Sequence, residues 1–215
     1  YIGLAVLSHS VALGTTFVAW HLMTKKLAGF DDIKLNFRFY YLSTLAKRIP
    51  SAIWYVGGRI GMYRKVGVAV AAVANITVLE STILGIGGVL TLLFFMPFYS
   101  SLPTNRMLPA AAVGLLGMCC LLIRPQLLVD ITNWLLGRFG ASKLSRVPDR
   151  RDLIGWLAIY VLPWLFAGAS LYSTVRAVTA GVELHLVDAI GISTVSMLVS
   201  LLSLILPGGL GLKEL

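Results

Sequence analysis

The sequence predicts an all-α integral membrane protein, a polytopic helical bundle with broken or re-entrant helices. Three observations carry that prediction. Only 13% of the 215 residues are charged while 58% are hydrophobic, about half the charge a soluble domain needs to coat its surface. The apolar residues gather in runs of roughly 20 or more, the length that crosses a hydrocarbon core of about 30 Å. These runs are continuous rather than alternating, so helices rather than a closed barrel satisfy the backbone. The expectation is one transmembrane domain over 1–215, multi-pass in the cell (inner or plasma) membrane. Beginning at Tyr1 without a Met and stopping at Leu215 beside a Gly-rich turn, it is expected to be incomplete at both ends.

The first span reads Ile2 to Met23, closed by Lys25 and Lys26, with no basic lead or small-residue cleavage site to suggest a signal peptide. A polar connection follows, with Asp31, Asp32, Lys34 and Arg38. From Phe39 to Arg64 the chain is apolar but interrupted by Lys47, Arg48, Pro50, Gly57, Gly58 and Arg59. No piece of it reaches a spanning length, so it reads as two half-helices broken at Pro50, a re-entrant hairpin. Val66 to Met96 is a run longer than the bilayer core, ended by Pro97, and it must tilt, bend or protrude. Met107 to Ile123 is a further span stopped by Arg124 and Pro125. Gln126 to Phe139 is mildly amphipathic and leads into a basic segment. Leu153 to Val175 crosses with Pro163 inside it, which predicts a kink. The last span, Leu186 to Leu206, meets Pro207-Gly208-Gly209, a second re-entrant or turn segment over 207–215.

The net charge of +9 would suggest nucleic acid in a soluble protein. Here the basic residues sit at the ends of apolar runs, which points to anionic lipid headgroups as partners and away from nucleic acid. If 39–64 enters and leaves on the cytoplasmic side, three of the 18 Lys and Arg (Lys47, Arg48, Arg59) fall in the hairpin. Two, Arg106 and Arg176, fall outside, and the remaining thirteen fall inside. A full crossing at 39–64 would scramble that partition.

Few residues here invite chemistry. Glu80 sits near the middle of the third run among Thr77, Ser81 and Thr82, and a carboxylate at bilayer depth is costly enough to mark a functional site by default. A pair with Arg59 would neutralise both. Arg59, beside Gly57, Gly58 and Gly61, suits an anion such as a lipid phosphate, while Lys47 and Arg48 fit snorkelling to the headgroups. Pro207-Gly208-Gly209-Leu210-Gly211 permits backbone shapes closed to other residues, as a helix stop or as part of a site. Ser193, Ser196, Ser200 and Ser203 share one face, for close packing or a polar lining. Cys119 and Cys120 read as small packing residues. His9, His21 and His185 are scattered, so no metal and no cofactor is expected, and no catalytic residue is assigned. A transferase reading would have only Glu214 or Asp149 to offer as acid or base.

Two segments carry a resemblance. RIPSAIWYVGGRIGMYRKVGV (Arg48 to Val68), followed by Leu79-Glu80, and LPGGLGLKEL (Leu206 to Leu215) resemble the two signatures of the lysylphosphatidylglycerol synthase/flippase-like transmembrane family. The motifs cover about 30 residues, and the hydropathy between them matches. The resemblance implies a multi-helix fold with re-entrant helices around a polar cavity. The role it implies is handling a phospholipid or polyprenyl-phosphate-linked headgroup, such as aminoacyl-phosphatidylglycerol. It also implies that Pro50, Trp54, Arg59, Tyr63, Arg64 and Glu80, with Pro207, Gly208, Gly209, Gly211 and Glu214, bind substrate; Gly58 matches too. Ser51 and Ala52 depart from the family's Gly and basic residue after the first Pro. The expectation is a flippase-like transporter, with a membrane scaffold or membrane part of a lipid-modifying transferase as the alternative, and a homo-oligomer is compatible with either.

Overall fold

A computed structural model describes residues 1–46, 52–99, 126–138, 147–179 and 182–205, with scattered positions between 109 and 124; at 52–54 and 202–205 it describes backbone only. Seven α-helices fill the continuous stretches, and no described residue lies in a strand. They are α1 (Ile2–Ala28), α2 (Ile33–Ala46), α3 (Ala52–Arg64), α4 (Val70–Phe95), α5 (Gln126–Arg138), α6 (Arg150–Val178) and α7 (Leu186–Ile205). Three of them are long and apolar enough to cross a membrane: α1, α4 with its 3-10 extension through Phe98, and α6. The protein is therefore a multi-pass membrane protein. The expected span at 107–123 lies largely outside the described residues, as do Pro50 and the 207–215 segment.

The first crossing ends where helix chemistry ends it. Lys25 and Lys26 occupy the last turn of α1, where cations complement the helix dipole. Gly29 then takes the left-handed conformation at φ +70°, and the Phe30 N–H reaches back to the Thr24 carbonyl at 3.2 Å, closing the helix C-terminus. The most extensive helix pairing joins α1 to α6. At one end Ser170 Oγ donates to the Ala5 carbonyl at 3.0 Å; at the other Lys26 Nζ donates to Asp149 Oδ2 at 2.9 Å. The helices are thus antiparallel and in step over roughly 32 Å, about one hydrocarbon thickness. Asp149 is itself the N-cap of α6, in a reciprocal capping box with Asp152, so a helix-capping and ion-pairing role accounts for it. Pro163 lies within α6 without ending it.

The hub is α4, which touches α1, α3, α5, α6 and α7. Two glycines let it approach α6: a Cβ on Gly88 would lie 2.6 Å from the Trp164 ring, and one on Gly87 would lie 3.6 Å from the Tyr160 carbonyl. Gly168 does the same between α6 and α7, where a Cβ would meet the Ile190 Cα at 2.5 Å. Without lipid between them, close backbone approach is what holds such helices together. Side chains from α1 to α6, among them Trp20, Met23, Tyr63, Ile76, Leu79, Leu128, Leu153 and Tyr160, form one buried apolar cluster.

Three details differ from the sequence expectation. The hairpin region starts earlier, at Ile33, because Asp32 caps α2: its Oδ1 accepts from the Lys34 and Leu35 N–H groups, each at 3.0 Å. Lys34 and Arg38 thus belong to a helix rather than to a connection. Cys119 and Cys120 are free and exposed rather than packed. On α7, Ser196 Oγ donates to the Ile192 carbonyl at 2.9 Å and Ser200 Oγ to the Ser196 carbonyl at 2.9 Å, Thr194 is buried, and the Ser203 side chain lies outside the described residues.

Candidate functional site

Helices α2 and α3 hold 14 and 13 residues, about 20 Å each at 1.5 Å per residue, and they pack against one another. Their direction follows from two contacts. Tyr63, late in α3, hydrogen-bonds Asn36, early in α2, while Arg59 meets Ser43 farther along α2. The pair is therefore antiparallel, and Tyr63 lies level with the C-terminal turns of α1 through its bond to Trp20.

Along α3, residues four apart share a face. Tyr55, Arg59 and Tyr63 form that face and are buried, whereas Gly57, Gly58, Gly61 and Arg64 are exposed. On α2, Asn36, Tyr40 and Ser43 supply the opposing stripe. Glu80 comes from α4, ten residues and about 15 Å into that helix, and is 3% exposed.

These stripes converge on one ion pair. Arg59, fully buried, donates from Nη1 to Glu80 Oε2 at 2.5 Å and from Nε to Ser43 Oγ at 3.1 Å. The Ser43 hydroxyl gives its own proton to the Tyr40 carbonyl at 2.8 Å, which leaves a lone pair for the guanidinium. The carboxylate also accepts from Tyr55 OH at 3.2 Å and from Tyr40 OH at 3.4 Å. Three rings enclose the guanidinium carbon, Trp20 at 3.9 Å, Tyr55 at 4.5 Å and Tyr40 at 5.0 Å from their centroids. Each ring face attracts a cation, more strongly where water is excluded. Arg59 Nη2 has no hydrogen-bond partner among the described residues.

A second chain of polar groups abuts the first through Trp20. Its indole Nε1–H donates to Tyr63 OH at 2.7 Å, and Tyr63 OH donates to Asn36 Oδ1. Asn36 Nδ2 donates to Thr24 Oγ1 at 2.9 Å and meets His21 Nδ1 at 2.8 Å.

Of the residues expected at a site, Arg59 and Glu80 are brought together, and Tyr63 joins them through Trp20 rather than directly. Arg64 lies exposed at the end of α3. The Trp54 side chain lies outside the described residues, as do Pro50, Pro207, Gly208, Gly209, Gly211 and Glu214. The sequence reading missed Trp20, Tyr40, Tyr55, Ser43 and Asn36. A signal for Tyr55 was present: Tyr55, Arg59 and Tyr63 recur every four residues, which on a helix is a single stripe. Among the described residues no cluster of His, Cys, Asp or Glu could hold a metal ion. The arrangement can hold a cation in low dielectric, neutralise it, and keep one guanidinium edge for a further acceptor. No family model, curated protein or solved structure matches this chain, so the family resemblance rests on its two motifs, and what the fold establishes is a polytopic, all-α membrane protein.

Proposed function

We propose that this protein is a flippase-like lipid transporter whose Arg59–Glu80 centre receives the anionic headgroup of a phospholipid or polyprenyl-phosphate-linked lipid. The observation that carries the reading is the guanidinium itself: buried, paired on one edge with Glu80, and holding its Nη2 donors without a partner among the described residues. A charge at this depth is expensive, and Glu80 keeps it tolerable when no substrate is present. An arriving phosphate offers the planar fork a second acceptor, a match that arginine makes better than lysine. On this reading α2 and α3 form a re-entrant hairpin that enters and leaves on the side of Arg64 and Lys25. The 207–211 turn with Glu214 would contribute the opposite wall. The headgroup then crosses because fixed polar groups replace its water while the acyl chains stay in lipid.

The test is translocation of fluorescent phosphatidylglycerol in proteoliposomes, read by the fraction protected from an external quencher. Native protein is expected to move the lipid, and the double variant Arg59→Met with Glu80→Gln, checked to be folded, is expected to lose at least ~90% of the rate, the effect of about one lost charge-assisted contact. Unchanged translocation by the folded double variant refutes the assignment.

A further inference from the structure

We propose that α5 is a lipid-docking helix whose exposed Trp134–Arg138 face seats the headgroup phosphate of an anionic phospholipid at the membrane border. The proposal is independent of the Arg59–Glu80 centre and follows from how the residues of α5 divide around its axis.

Gln126–Arg138 holds 13 residues, about 20 Å of helix, which is too short to cross the hydrocarbon core. At about 100° per residue its side chains fall into three faces. Leu128, Val129, Thr132 and Leu136 are buried, and α5 packs against α4. Gln126, Asp130, Asn133 and Gly137 form a polar face next to them. The third face is apolar and open. Ile131 is exposed on it and Trp134 is 60% exposed, with Leu127 and Leu135 half-buried beside them and Arg138 at the end. A helix between a bundle and water needs one apolar face. A helix that also touches lipid has a use for the second.

The apolar cluster sets the depth of this helix. Leu128 and Val129 join a core that takes Phe17 to Leu27 from α1 and Leu153 to Tyr160 from α6. Those are the halves of both helices nearest Lys26 and Asp149, whose contact marks one end of the pair. The first turn of α5 therefore sits toward that end of the bundle, where Trp side chains lodge at the boundary of lipid and water. Arg64 and Lys65, which follow Tyr63 at the same end, and Arg151 in the first turn of α6 are all exposed. This end thus carries the positive charge that draws anionic headgroups.

Trp134 and Arg138 supply the seat. The Arg138 guanidinium carbon lies 5.2 Å from the Trp134 ring centroid, a contact across one helical turn that holds the charge by the ring without consuming an N–H. Arg138 forms no ion pair among the described residues, and Asp130, the one acid of α5, lies on the polar face. The guanidinium fork is left for an acceptor, and a phosphate matches it with two parallel bonds. Below the phosphate, the indole and Ile131 meet the first carbons of the acyl chains. A phospholipid brings an apolar chain and an anion joined end to end, as Ile131, Trp134 and Arg138 are, and lipid already surrounds this belt of the protein.

The test places the full chain in nanodiscs with 5-fluorotryptophan, the Trp134 fluorine resonance being assigned by its loss in Trp134→Phe. A nitroxide carried on phosphatidylcholine headgroups is expected to broaden Trp134 and to leave Trp164, which is 1% exposed, sharp. Replacing phosphatidylcholine stepwise by phosphatidylglycerol is expected to move the Trp134 resonance to saturation. Arg138→Gln should need about five times more of the anionic lipid to reach the midpoint, and Lys34→Gln should leave the midpoint unchanged. A Trp134 line untouched by the headgroup nitroxide, because water or a second copy of the chain covers it, overturns the proposal. So does a resonance that ignores phosphatidylglycerol, or a midpoint that Lys34→Gln shifts as far as Arg138→Gln does, the mark of surface potential alone. If Arg138→Gln does not fold, the nitroxide contrast and the phosphatidylglycerol titration of the native protein still decide. None of these signals depends on transport: a native protein that moves no lipid removes the transporter reading and leaves the α5 result to stand or fall by itself.

Discussion

Removing the Glu80 carboxylate while leaving the Arg59 guanidinium in place is the sharpest perturbation of this fold. Arg59 is fully buried and Glu80 is 3% exposed, so solvent screens neither. In Glu80→Gln the guanidinium keeps Ser43 and its three rings but loses its counter-charge. Breaking a buried pair by deleting one partner costs roughly 3–5 kcal/mol. Glutamine retains an oxygen that can accept from Arg59 or from the tyrosines, which places the expected loss near 3 kcal/mol. For a chain of this size that corresponds to a fall of about 6–12 °C in melting temperature. Replacing both partners behaves differently: Arg59→Met with Glu80→Gln buries an apolar side chain among Trp20, Tyr40 and Tyr55 and leaves an amide oxygen for the two hydroxyls. Swapping a buried pair for packed neutral groups is often nearly neutral, so the double variant should recover most of the loss. The assay is thermal unfolding in nanodiscs at one lipid composition. A Glu80→Gln protein that melts with the native one, or a double variant as unstable as the single, would refute the claim that the pair is a mutually dependent buried charge.

Three further expectations follow from the packing and the surface. Gly168→Ala should destabilise by about 1–3 kcal/mol, because its Cβ would lie 2.5 Å from the Ile190 Cα and the α6 and α7 backbones must part. Gly57→Ala, with nothing within 4 Å of the added methyl, should be neutral or stabilising by up to ~1 kcal/mol through helix propensity; melting the two variants side by side checks both. Lys26→Ala, removing an exposed cation shared by Asp149 and Asp152, should shift the melting temperature only at low ionic strength, and the shift should vanish as salt is added.

Much of this molecule is written along the chain. Charge at half the soluble level and apolar runs of spanning length exclude an aqueous fold, because the cost of burying a peptide group without a partner leaves helices as the available answer. The end of α1 was marked by Lys25 and Lys26 at the border of an apolar run, and both a short-helix region between Phe39 and Arg64 and the depth of Glu80 could be read from the same counting. Local signals were also present and read too weakly: Asp32 as a cap that begins α2 at Ile33, and the four-residue recurrence of Tyr55, Arg59 and Tyr63.

What the chain alone did not decide is which groups meet. Arg59 and Glu80 are 21 residues apart, and their pairing depends on the antiparallel packing of α2 and α3 and on the face that α4 turns to them. Trp20 joins from a third direction, through the packing of α1. Hydropathy measures the free energy of each segment against lipid and water, which sets where a helix lies in depth; it carries little about the angle at which that helix faces its neighbours. That angle is set by shape and hydrogen bonds between segments distant in sequence, by the glycines that admit Trp164 and Ile190 and by the Asn36–Tyr63–Trp20 chain, so the site existed only once the helices were packed.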